Sequence, residues 1–235
     1  MYIMVRDSDF QIPFCSINMK IDLANFSIVV VAQAHNPSIL NPDFLINNKI
    51  VDASFTPKDV YCTPPISQVS FDEGISIIAE FERLQFVDHV SERIPHKSQI
   101  AEIATRYISV LPHVRYTAVG INFTGHYLWE NTNSACSFIS NKFIREGPWL
   151  SSGDGLTNVG LKFIYLFGKI KCTISIESTE RIREENKRIP VILINANYNL
   201  DVKDNNIQEI ISFISDWKTQ NERFTNFLEK AFTRD

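Results

Sequence analysis

The side chains best suited to acid–base or metal chemistry are five histidines, His35, His89, His96, His113 and His126, because a ring that titrates near neutrality can move a proton or ligate a metal. Their spacing contains no His-Glu-x-x-His pair and no comparable ligand set, so the sequence implies no metal centre. Two of them stand out. His35 ends the run Phe26-Ser-Ile-Val-Val-Val-Ala-Gln-Ala-His35, and His126 ends Tyr116-Thr-Ala-Val-Gly-Ile-Asn-Phe-Thr-Gly-His126, each after a small residue. At equivalent ends of two similar strands they could meet across a pseudo-two-fold axis. The simpler role, favoured here, is that each ring caps its strand or bonds to a nearby backbone carbonyl.

Other catalytic constellations are missing the parts they need. No serine sits in Gly-x-Ser-x-Gly, and chain order assigns no Ser/His/Asp triad. Ser151-Ser-Gly-Asp-Gly155 lacks the lysine of a phosphate-binding loop, and no Gly-x-Gly-x-x-Gly opens a helix after a strand. Asp72-Glu73 and Glu184-Glu185 are neighbouring acids on turns, where solvation is their ordinary role. No catalytic residue and no cofactor is assigned.

What remains is surface. Gly147-Pro-Trp149-Leu places an aromatic in a loop, and Tyr127-Leu-Trp129 follows the second repeated histidine; loop aromatics anchor protein interfaces or plug the edges of cores. Alternation along the expected strands turns Arg83, Gln85, Lys171, Thr173, Ser175 and Glu177 away from the helices. His35, His126, Tyr127, Trp129, Trp149, Arg83 and Lys171 are therefore the candidate binding residues.

The elements that position them come in two sets. The runs ending at His35 and His126 are apolar and β-branched enough for buried strands. After the first, Pro37 and Pro42 permit only short helical turns; after the second, Ala135, Phe138, Ile139 and Phe143 share one helical face. Strands follow: Gln68 to Phe71, Ile75 to Phe81 and Leu84 to Val87, with a turn at Asp72-Glu-Gly74; then Leu161 to Phe167, Ile170 to Glu177 and Ile189 to Tyr198. Asp52 to Pro65 reads as an ordered loop, and 177 to 188 as a charged hairpin loop. Each set closes with a helix, striped by Ile100, Ile103, Ala104, Tyr107 and Ile108 in the first, and by Ile207, Ile210, Ile214, Trp217, Phe224 and Leu228 in the second. The expected fold is α+β: pseudo-duplicated β-α-(β)n-α units, about 20–112 and 113–235, in one domain with a curved antiparallel sheet and helices on one face. The alternative is a helix-grip fold, a sheet wrapped around one long helix over 205–230 with a ligand cavity between them.

The 235 residues carry 44% hydrophobic and 21% charged side chains, ordinary for a globular chain with a sizeable core. No run approaches the roughly 18 apolar residues of a membrane helix and no signal peptide is recognisable, which gives a cytoplasmic expectation. Cys15, Cys62, Cys136 and Cys172 lie far apart near apolar segments, as buried free thiols in a reducing compartment do. With 23 bases against 27 acids the chain lacks the basic footprint that displaces phosphate counterions, which argues against nucleic acid.

The element order is similar to the saddle fold of the TATA-binding protein, in order but not in sequence. The stretches Asn36-Pro-Ser-Ile-Leu-Asn-Pro-Asp-Phe-Leu45, Thr63-Pro-Pro-Ile-Ser-Gln-Val69, Ala118 to His126 and Gly147-Pro-Trp-Leu150 resemble those of uncharacterised, sporadically distributed bacterial proteins. Such a distribution suits a cassette gene with a neighbouring partner, as in an anti-phage defence or toxin-regulating pair. The expected function is a non-enzymatic accessory subunit that binds a partner protein or another copy of itself. The alternatives are a small-molecule binder or hydrolase using a cavity beneath the C-terminal helix, and a nucleic-acid-binding saddle.

Overall fold

A computed structural model of the chain describes residues 21–90, 95–182 and 187–232. Among these residues nine strands form one antiparallel sheet in the order β2-β3-β4-β5-β1-β6-β9-β8-β7. The sheet is curved. Its centre is the pair β1 (Asp22–Ala32) and β6 (Tyr116–Leu128), which runs from Asp22 opposite His126 to Ala32 opposite Tyr116 with register shifts between Leu23 and Asn25 and between Val31 and Ala32. On one side of that pair lie β5 (Arg83–Asp88), β4 (Ile75–Glu80), β3 (Ile66–Phe71) and β2 (Pro57–Cys62); on the other lie β9 (Arg188–Asp201), β8 (Ile170–Ile182) and β7 (Gly160–Phe167).

Each central strand is followed by helical pieces, further strands and helix, in unequal numbers. After β1 come a 3-10 turn Pro37–Ile39, the short α1 (Pro42–Asn47), four strands and α2 (Ile100–Val110). After β6 come α3 (Thr132–Phe143), three strands, α4 (Ile207–Ser215) and α5 (Trp217–Phe232). The prolines act as expected, each opening a short helical piece at its first turn, where a missing N–H is no loss. Asn41 and Asn131 cap α1 and α3 by accepting from Phe44 N and Ser134 N, both at 2.8 Å.

All helices lie on one face, and the two-residue period of the strands decides which side chains meet them. Phe26, Ile28 and Val30 of β1, Ile121 and Phe123 of β6, and Ala196 and Tyr198 of β9 point to the helices and are buried. Phe123 is the hub: it stacks on Phe26 at 5.1 Å and on Phe224 of α5 at 5.8 Å, with Tyr198 edge-on at 6.2 Å. Phe86 and Phe44 meet Tyr107 of α2 at 5.7 and 5.8 Å. Asp88, buried at the end of β5, accepts from Ser98 Oγ at 2.7 Å and fastens that strand to the approach to α2.

Four expectations need correction. Cys62 is exposed and not a buried thiol, because it ends β2, which sends no side chain into the core. Residues 57–62 are a strand, β2, and not part of a loop; all six of its residues are exposed, so no apolar alternation marked it. The 177–188 stretch is not a loop throughout, because β8 runs to Ile182 and β9 begins at Arg188, with Glu180–Pro190 and Ile182–Arg188 still paired. Of that stretch, 183–186 lie outside the described residues, as do Cys15 and the acids Glu184 and Glu185. The continuous helix over 205–230 is broken. Asp216 ends α4 and serves α5, its carboxylate accepting from Thr219 Oγ1 at 2.6 Å and Gln220 Nε2 at 3.2 Å. The helix-grip alternative therefore loses its single long helix. It also loses its cavity, because Ile210, Ile214 and Trp217 are buried against the sheet, with Trp217 at 5.1 Å from Phe26.

Candidate functional site: the open face of the sheet and its β7 edge

The side chains that alternate away from the helices form a second, helix-free face. The paired registers assemble them into rows that cross the sheet. One row reads Ile164, Thr173, Asn197, Asn122, Ser27, Val87, Ser76, Ser70, Asp59 from β7 to β2. The next reads Leu166, Lys171, Asn199, Gly120, Val29, Gln85, Ile78, Gln68, Tyr61. On the other side of the first, Lys162, Ser175, Asn195 and Thr124 stand together. Arg83, Gln85, Lys171, Thr173, Ser175 and Glu177 thus face away from the helices, as the alternation predicts.

At the centre of this face is a groove of about 560 Å³, lined by Val29, Gly120, Asn122, Thr173 and the asparagines of β9 among others. Gly120 keeps its floor low: a Cβ there would stand 3.3 Å from Asn197 Nδ2. The amides are partly engaged with each other. Thr124 Oγ1 donates to Asn195 Oδ1 at 2.8 Å, Asn197 Nδ2 donates to Asn122 Oδ1, and Asn199 Nδ2 donates to Asp201 Oδ1 at 3.0 Å. Asparagine is depleted in strands because its amide competes with the backbone and packs poorly. Asn195, Asn197 and Asn199 nevertheless occupy consecutive open-face positions on an interior strand.

The flank of this face is β7, an edge strand. Ile164 and Leu166 are 57% and 75% exposed, and Tyr165 and Phe167 on the helix side are also exposed. The opposite edge is built differently. β2 begins Pro57-Lys58-Asp59, with a register shift between Pro57 and Asp59, which removes a donor and adds charge where another strand would pair.

The remaining candidates are dispersed. His126 and His35 do not approach each other, because they lie at opposite ends of the antiparallel β1/β6 pair, which spans about 30 Å. His35 is buried at 3.3 Å from the Val30 carbonyl beside Tyr116, and burial lowers its pKa. His126 is 1% exposed, with Nε2 at 3.0 Å from Arg181 Nη1 and 3.6 Å from Asp22 Oδ2. Arg181 donates there, which makes Nε2 the acceptor. Tyr127 faces the helices, with Phe232 at 4.9 Å, and burial pushes its hydroxyl up to about 12. Trp129 packs on Phe138 at 4.9 Å. Tyr127 is therefore a core residue of the second half, and Trp129 is half-buried against that core. Trp149 is 52% exposed and folds over Gly147, where a Cβ would collide with the indole. Arg83 donates to Gln85 Oε1 at 2.8 Å on the open face, and Lys171 is exposed beside Asn199.

Of the predicted residues, only Arg83 and Lys171 lie at the groove or beside it. The β9 amides were legible as Asn195-Ala-Asn197-Tyr-Asn199, a two-residue repeat of one polar type inside an apolar strand. Among the described residues no His/Cys/Asp/Glu cluster could hold a metal, and no helix is long and apolar enough to cross a membrane. In comparisons with known proteins, the chain matches no family model and no curated protein.

Proposed function

We propose that this chain is a protein-binding accessory subunit that docks by adding a strand at β7. The observation that carries this is the contrast between the two sheet edges. An edge strand offers a row of backbone donors and acceptors, and one with apolar side chains on both faces pairs readily with another chain. β7 has that character over Phe163-Ile-Tyr-Leu-Phe167, whereas β2 carries the charge, proline and irregular register that prevent pairing. Self-pairing fits the sequence. In an antiparallel pair centred on Ile164, Lys162 faces Leu166 of the second copy, so no like charges oppose each other and the lysine stem covers the leucine. With only one such edge among the described residues, association of this kind closes as a two-fold dimer and does not propagate. The net charge of -4 supports a protein partner over nucleic acid.

Sedimentation velocity at concentrations up to about 0.1 mM, matched to micromolar-to-millimolar affinity, tests this. Wild type is expected to self-associate, and Leu166→Lys to abolish the association while leaving the far-UV circular dichroism unchanged. A wild type that stays monomeric and copurifies with no protein would refute the proposal.

A further inference from the structure

The groove at the centre of the open face reaches the β7 edge only at Lys162, and the chemistry of its β9 floor can be read independently. We infer that the asparagine ladder of β9 holds an extended polypeptide segment by its backbone, with acidic side chains directed to Lys162 and Lys171.

The spacing is the first support. Asn195, Asn197 and Asn199 alternate onto one face, so they recur every two residues, about 6.8 Å along the strand. An extended peptide presents an N–H and a C=O toward the same side with that same two-residue period. A carboxamide carries one acceptor and two donors, so each can answer both groups of one peptide residue. The capacity is present. Asn195 keeps its amino group, Asn197 its carbonyl and Asn199 its carbonyl, none with another hydrogen-bond partner among the described residues.

Charge supplies the second support and fixes the side-chain preference. A peptide lying edge-on over β9 points the side chains of its ladder-bonded residues to one flank and those between to the other. On the β8 and β7 flank, Lys171 stands beside Asn199 and Lys162 in the row of Asn195. Among the described residues neither lysine makes an ion pair, and no acid shares these three rows between β7 and β1. The nearest acids, Glu177 and Asp201, lie one row beyond either end. The opposite flank has a low floor at Gly120 and Val29, bordered by the polar Asn122 and Thr124 and by Arg83. The fitting ligand therefore has acids four residues apart and small side chains at the alternating positions, over the low floor at Gly120. Polyanionic nucleic acid fits less well, because Lys162, Lys171 and Arg83 leave most phosphates unpaired.

The test uses the full chain and the probe acetyl-Gly-Asp-Val-Ser-Val-Asp-Gly-amide. Side-chain amide resonances of 15N-labelled wild-type protein report binding without any variant. The expected result is saturable shifts of the Asn195, Asn197 and Asn199 amides, with affinity reduced about tenfold or more when the two Asp and the Ser of the peptide are N-methylated, because their backbone donors are gone. Asn197→Ala and Gly120→Val should each weaken binding similarly while the circular dichroism is unchanged. Because recognition is of backbone, one sequence suffices. No shift at several millimolar peptide, equal affinity of the N-methylated form, or equal shifts with an oligo(dT) of matched charge would each overturn the inference. None of these outcomes bears on association at β7, which the Leu166→Lys comparison reads separately.

Discussion

Phe123→Ala should nearly unfold the protein, and it should do so in both halves at once. The ring is fully buried in β6, stacked between Phe26 of β1 and Phe224 of α5, with Tyr198 of β9 against its edge. Truncating a core phenylalanine costs about 3–5 kcal/mol. Three aromatic partners, each contributing about 0.5–1.5 kcal/mol beyond area, put this site in the upper part of that range, about 4–5 kcal/mol. A domain stable by about 5–15 kcal/mol keeps little in reserve after such a loss. At a urea dependence of about 2.5 kcal/mol per molar, the midpoint should fall by about 1.5–2 M. Equilibrium urea unfolding, followed by tryptophan fluorescence and by far-UV circular dichroism, reads the shift. Since Phe123 joins β1 of the first half to α5 of the second, both probes should report one transition. A loss below about 1.5 kcal/mol, or two separated transitions in wild type, would refute the claim that this stack unites the halves.

The buried His35 should make stability pH-dependent in a definite direction. Burial disfavours its protonated form more than the Val30 carbonyl favours it, so the folded pKa lies below 6.5 and the unfolded chain takes up the extra proton. The stability held above pH 6.5 should therefore decline as pH falls toward the folded pKa, and the difference between wild type and His35→Gln should shrink between pH 7.5 and 5; a constant difference contradicts this. Thiol reactivity offers another check. In a Cys15→Ser background, exposed Cys62 should react rapidly with a disulfide reagent, while Cys136 and Cys172 react only on unfolding, burial having raised both thiols and Cys172 to about 11. Fast native-state labelling of Cys172 would show that the helix layer over β8 opens readily.

The sequence alone determined what depends on local periodicity. The alternation of Ile170, Cys172, Ile174 and Ile176 with Lys171, Thr173, Ser175 and Glu177 forces one face inward whatever its neighbours are, and the stripe of Ile100, Ile103, Ala104 and Tyr107 does the same for α2. The turn at Gly74, with φ of 75°, was legible because that backbone favours glycine. Where a long-range partner sets the structure, local pattern gave no guide. β2 has no buried side chain and is a strand only because β3 offers it a ladder, and the helix break rests on the Asp216 carboxylate finding Thr219 and Gln220. The repeated histidines were visible as equivalent positions, yet antiparallel pairing of their strands sends equivalent ends apart. The groove is tertiary in the same sense. Asn195, Asn197 and Asn199 share a face by periodicity, but only the order β1-β6-β9-β8-β7 sets Gly120 on one side of them and Lys162 and Lys171 on the other.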